Sequence, residues 1–151
     1  MKLLLAGLFV LAGLPAAVAA PTVAISTQSR PAPATALFGS VPPGGFSDRF
    51  PYGQCTWWAA YNHRVTWSGD ARDWLANASR QAIPTAQLAS VGAIAVYRPG
   101  SGYSDYGHVA VVIAASPGSY TVSEMNFTGW GQVSTRTVAW PDPRIAGFIP
   151  V

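Results

Sequence analysis

A change of pattern near Pro84 most constrains what this chain can fold into. Before it, residues 55–61 (Cys-Thr-Trp-Trp-Ala-Ala-Tyr) run without Gly or Pro. Trp58 and Tyr61 lie three apart, which predicts a helix with one anchored face. Asp70 is then a natural N-cap for a second helix over Ala71–Arg80, with Trp74, Leu75 and Ala78 as its apolar stripe and Pro84 as its stop. After Pro84 come short runs rich in Val, Ile, Tyr and Phe, punctuated by Gly, Pro and Ser. Strands are predicted at Gly92–Tyr97, His108–Ala114, Tyr120–Asn126, Ser134–Val138 and Ile145–Ile149. Helices followed by strands imply an α+β domain, with N-terminal helices packed on an antiparallel β-sheet.

The first residues belong to something else. Met1-Lys2, the apolar run Leu3–Leu14 and the small residues Ala17-Val18-Ala19 read as a cleavable signal peptide over residues 1–19, with cleavage after Ala19. The apolar run is too short to span a bilayer. Residues 20–46, rich in Pro, Ala, Ser and Thr, read as a flexible linker, leaving 47–151 as one domain exported to the periplasm or beyond. No membrane anchor is expected after cleavage, and the domain is expected to be monomeric. Lys2 is the only lysine among nine Lys plus Arg, against six Asp plus Glu, and the arginines never cluster. That distribution argues against nucleic acid as a partner.

Cys55 is the single cysteine. With no internal disulfide open to it, it is an inert thiol, an intermolecular link or a reactive nucleophile. At a helix N-terminus, unpaired backbone N–H groups and the helix dipole favour the thiolate. A nucleophile needs a base, and the domain has two histidines. His63, in the polar run Asn62-His63-Arg64, reads as a solvated or helix-terminal residue. His108 opens the apolar run Val109–Ile113 after a glycine, at the mouth of a strand. For an orienting acceptor the next strand carries Glu124, the only glutamate, and Asn126, two apart and so on one face. Asp105, in a Gly/Ser/Tyr loop, reads as a turn residue.

The turn between these strands decides whether they meet. A three-residue loop at Ser116–Gly118, or a five-residue loop from Ala115 to Ser119, sets His108 opposite Asn126. A two-residue Pro117-Gly118 loop sends them to opposite faces. Trp57, Trp58 and Trp74 read as core. Trp130, in the glycine-flanked segment after the Glu124 strand, is a substrate-groove candidate.

Tyr52-Gly53-Gln54-Cys55-Thr56-Trp57, Gly92-Ala93-Ile94-Ala95-Val96, Gly107-His108-Val109-Ala110-Val111-Val112 and Val122-Ser123-Glu124-Met125-Asn126 follow one another in an order that resembles the CHAP domain, the cysteine, histidine-dependent amidohydrolases/peptidases. The resemblance covers about Phe50 to Phe148. It implies a papain-like fold and cleavage of an amide bond in peptidoglycan, either between muramic acid and L-alanine or within the stem peptide or cross-bridge. It further implies Cys55 as nucleophile, His108 as base, Glu124 as orienter of the imidazole, Asn126 as a further polar site residue, and Gln54 or the Cys55 N–H at the oxyanion. Which of Glu124 and Asn126 contacts His108 stays open at this point. Some members of the family bind calcium near the cysteine, but residues 46–58 offer only Asp48, so no metal and no cofactor are expected. Competing readings are a non-catalytic wall-binding module on the same scaffold and a secreted protease or antibacterial toxin.

Overall fold

The computed structural model describes Phe46 and residues 49–151. The expected signal peptide and nearly all of the expected linker lie outside the described residues. The order is helix α1 (Cys55–Asn62), a 3-10 turn (Ala71–Asp73), helix α2 (Trp74–Arg80), then strands β1 (Ile94–Tyr97), β2 (His108–Ser116), β3 (Ser119–Met125), β4 (Val133–Ala139) and β5 (Ile145–Ile149). The strands form one antiparallel sheet in the order β4-β3-β2-β1-β5. This is the α+β, helices-then-sheet architecture expected from the change of pattern. The second helix differs in its first turn, which is 3-10 and lacks a side-chain cap from Asp70. Among the described residues, no helix is long and apolar enough to cross a membrane.

Each face of the sheet carries its own apolar cluster, because side chains alternate along a strand. Ile94, Val96, Val109, Val111 and Ile149 pack with Ala59, Trp67, Trp74 and Ala78 on the helix side. Ala95, Tyr97, Ala110, Val112, Tyr120, Val122, Val138 and Phe148 form the other cluster. There Tyr120, Trp140 and Phe148 pack edge-on or tilted against one another, a favourable aromatic arrangement. Trp74 is fully buried, as expected, whereas Trp57 and Trp58 are only half-buried. Trp57 stacks on Tyr61 across one turn of α1 and meets Tyr52 edge-on, so its ring lies on the outer side of the helix rather than in the core. Trp58 donates its indole N–H to Ser123 Oγ at 3.1 Å and so ties α1 to β3.

The β2–β3 turn corrects the expected loop length. Ser116 pairs with Ser119, Ala115 with Tyr120 and Ala114 with Thr121, so the loop is the two residues Pro117-Gly118. Proline and a glycine at φ +83° suit such a tight reversal. Continued unchanged, that register would place His108 and Glu124 on opposite faces. It is not continued. Between Val112 and Ala114 the ladder carries a bulge, after which Val112 pairs with Val122 and Val111 with Ser123. One extra residue, Ile113, restores the parity that brings His108 and Glu124 to one face.

Candidate active site

The site is assembled where three chain segments converge. Cys55 is the first residue of α1, with Gln54 in extended conformation as its N-cap. His108 is the first residue of β2 and pairs with Tyr97 of β1. The glycine before it is required: a Cβ at Gly107, where φ is +73°, would meet the backbone N of Arg72 and the carbonyl O of Tyr97 at 2.9 Å each. This close approach docks the 98–107 loop, with Arg72 N–H donating to Tyr106 O at 2.9 Å. It also delivers the imidazole to the mouth of the strand. Glu124 comes from β3, sharing a face with Val122 by alternation.

The three side chains are almost wholly withdrawn from water: Cys55 is 8%, His108 5% and Glu124 0% exposed. His108 Nε2 donates to Glu124 Oε2 at 2.9 Å. That leaves Nδ1 for the thiol, the tautomer a general base needs. Burial pushes the Cys55 thiol up, but hydrogen bonding and charge from His108, with backbone N–H groups of Val109 and Thr56, outweigh it and hold the thiol below its ordinary value. Burial likewise pushes His108 down, yet Cys55 and Glu124 together push it up to about 9. Both directions favour a thiolate–imidazolium pair.

Glu124 also meets a partner that the sequence reading missed. Arg136 of β4 donates Nε to Glu124 Oε1 at 2.6 Å. Leaving a buried carboxylate without partners costs several kcal/mol, so the second donor matters to the fold itself. The signal was in the pattern of β4. Ser134, Arg136 and Val138 share a face by alternation, and Val138 is core, so Arg136 had to point inward.

The question left open between Glu124 and Asn126 is resolved geometrically in favour of Glu124. β3 ends at Met125, and Asn126 leaves the strand at φ +63°, a left-handed conformation that asparagine tolerates. Its amide Nδ2 donates to Gln54 Oε1 at 3.0 Å instead. That bond orients the Gln54 side chain beside Cys55, with its NH₂ still available as a donor. Trp130 covers Gly53: a Cβ there would fall 2.5 Å from the indole Cε2, and Gly131 N–H donates to Gly53 O at 3.2 Å. The ring is 62% exposed and flanks the segment entering α1, outside the lining of the cleft at Cys55. Asp105 contributes its carbonyl to Arg72 Nη1 at 2.8 Å, in keeping with a turn role.

His63 meets the helix-terminal half of its expected role, as the C-cap of α1, but not the solvated half: it is only 6% exposed, and its Nε2 has no hydrogen-bond partner among the described residues. The helix ends there and the chain turns inward, carrying the ring with it. Nothing joins it to Cys55.

A cleft of about 400 Å³ opens over the thiol, lined among others by Phe50, Gln54, Cys55, Tyr103, His108 and Phe127. Tyr103 stacks on the His108 ring with centroids 5.2 Å apart and 13° between planes. Among the described residues, no group of three His, Cys, Asp or Glu side chains is placed to hold a metal ion.

Helices on an antiparallel sheet, with a cysteine at a helix tip facing a histidine–carboxylate pair at a strand mouth, define the papain-like class of α+β fold. Within that class the chain belongs to the CHAP domain family, whose model matches residues 45–126. Two Staphylococcus aureus proteins named "Probable autolysin LDP" and "Probable autolysin SsaALP" are 35% and 32% identical to it, over 61% and 82% of this chain and 34% and 48% of their own lengths. An N-acetylmuramoyl-L-alanine amidase domain-containing protein of the same organism is 34% identical over 59% of this chain and 16% of its own length. The chain thus spans less than half the length of each of these relatives. Among solved structures, an N-acetylmuramoyl-L-alanine amidase from S. aureus superposes with a TM-score of 0.56 at 33% identity, covering 62% of this chain and 29% of that one. The structure of Ly7917 shares the fold with a TM-score of 0.52 at 18% identity, over 76% of this chain and 57% of its own.

Proposed function

We propose that this chain is an exported peptidoglycan hydrolase that cleaves an amide bond, at the muramoyl–L-alanine junction or in the stem peptide or cross-bridge, through a Cys55 thioester. The observation that carries the reading is the buried Cys55–His108–Glu124 line, with its thiol held low and its imidazole held high. Autolysins and an amidase among the relatives support peptidoglycan as the substrate class. In the proposed reaction the Cys55 thiolate attacks the amide carbonyl. The Cys55 N–H and the Gln54 side chain donate to the developing oxyanion. His108 gives its proton to the leaving amine, the C–N bond breaks, and the acyl group remains on sulfur. Water, deprotonated by His108, then hydrolyses the thioester and regenerates the thiol. Trp130, which covers Gly53, serves as a wall beside the substrate's approach to Cys55.

Incubating the purified protein with purified sacculi, and identifying released muropeptides by mass spectrometry, tests this. Stem peptides freed of muramic acid indicate an amidase, and cut stems or bridges an endopeptidase. Cys55→Ala should remove every new product while the circular dichroism spectrum stays unchanged. Products that persist in Cys55→Ala would sink the cysteine mechanism. Binding to sacculi without any cleavage by the unaltered protein would favour a wall-binding module.

A further inference from the structure

Arg136 touches both the candidate triad and the wall of the cleft. Its Nε donates to Glu124 Oε1 at 2.6 Å and its Nη2 to Glu124 Oε2 at 3.4 Å. Nη2 also donates to the Tyr103 hydroxyl. The guanidinium lies over the Phe127 ring, 4.4 Å from its centroid. Tyr103 and Phe127 in turn flank His108, at 5.2 and 6.0 Å between ring centroids. The register explains how one arginine does all this. Arg136 pairs with Val122 and Ser134 with Glu124, so Arg136 sits diagonally across from the carboxylate on the same face.

Cys55, His108, Glu124 and Arg136 are therefore successive neighbours in one largely buried row. With the thiol ionised and the imidazole protonated, their charges alternate and cancel. We propose that Arg136 is a positioning residue: by orienting the Glu124 side chain and balancing its charge it favours the thiolate–imidazolium form of Cys55 and His108, and through Tyr103 and Phe127 it fixes the cleft wall to the same cation. This rests on the nucleophilic reading of Cys55 given above.

Without Arg136, three charges remain with an excess of one negative, in surroundings that screen charge poorly. Protonating the thiolate relieves that excess and removes the nucleophile. The pH at which Cys55 becomes reactive therefore rises. A role limited to tying strands or docking the 98–107 loop would slow substrate turnover without moving that pH.

The test is the rate of Cys55 alkylation by iodoacetamide against pH, a single-site readout because this is the only cysteine. It needs no cell-wall substrate, so a failure of the peptidoglycan reading and a failure of this one are separately visible. In Arg136→Gln the midpoint of the reactivity curve should rise by about one pH unit, a tenfold loss of thiolate on its acid side. Arg136→Lys keeps the charge and should keep most of the midpoint. Tyr103→Phe, which removes only the Arg136–Tyr103 hydrogen bond, should leave the midpoint in place. In a Glu124→Gln background, adding Arg136→Gln should raise the midpoint no further. A folded Arg136→Gln protein with an unmoved midpoint overturns the proposal. So does an equal upward shift with and without Glu124. Should Arg136→Gln alone fail to fold, an upward shift on adding Arg136→Gln to the Glu124→Gln background overturns the proposal.

Discussion

The two histidines of this domain are almost equally withdrawn from water, 5% exposed for His108 and 6% for His63, and they are displaced in opposite directions. For His63 burial is the one influence that displaces it: its Nε2 lacks a partner among the described residues, and desolvation holds it below the ordinary histidine value. His108 is buried at least as deeply but has an anion on each side, and is pushed up to about 9. The difference teaches that depth alone turns an imidazole into a neutral packing group. Flanking acids reverse the sign and make a proton carrier of it.

Three measurements test how differently His108 and His63 behave. The largest effect is expected from His108→Ala, which should lower sacculus hydrolysis by about a thousandfold or more, as loss of the base does in nucleophile–base sites. His63→Ala should leave it near the unaltered level, and comparable losses in both would erase the distinction.

Next is the pH profile of hydrolysis. In the proposed reaction His108 must be protonated to serve the leaving amine, so activity should fall as pH rises through about 9. The same shift bears on stability. A histidine raised above its unfolded value of 6.5 contributes stability that is complete below 6.5 and is lost as pH climbs toward 9. An alkaline limb near the ordinary histidine value instead would mean that the flanking anions do not act on His108.

The smallest effect belongs to His63, whose folded value lies below 6.5. As pH falls below 6.5 the unfolded chain binds a proton that the folded chain resists, so His63 costs stability on the acid side. His63→Leu should flatten the decline in urea midpoint between about pH 6.5 and 5. An unchanged slope would mean that His63 protonates freely in place.

The helices-then-strands order, the approximate strand positions and the placing of Cys55 at a helix tip and His108 at a strand mouth were legible in the sequence, because each rests on a local signal; the face that His108 shares with Glu124 was not, because the turn is the two-residue one that separates them and only the bulge at Ile113 brings them back together. What was not legible depends on which way a surface faces. Trp57 and Trp58 share a helix with buried alanines, and only the packed sheet decides that Trp57 lies outward. His63 sits in a polar run, and only the inward turn after α1 buries it. The inward face of Arg136 follows from its alternation with Val138 along β4, but the carboxylate it meets depends on the β3–β4 register, which no local signal carries. Asn126 shares the parity of Glu124 on paper but departs from the strand one residue too soon to reach the imidazole.

The β2–β3 hairpin stores the relation between His108 and Glu124 as an odd-or-even count, since the side-chain period of a strand is two. Its turn is one residue shorter than that count requires, and the strand makes good the difference at Ile113. The two irregularities are a matched pair, and each alone is a frameshift in space. Deleting Ile113 keeps every candidate site side chain in the sequence while sending His108 and Glu124 to opposite sides of the sheet. Adding one residue to the turn at the same time repairs it. Substitutions in this hairpin are thus far safer than single-residue insertions or deletions. A natural change in turn length should be accompanied by gain or loss of the bulge.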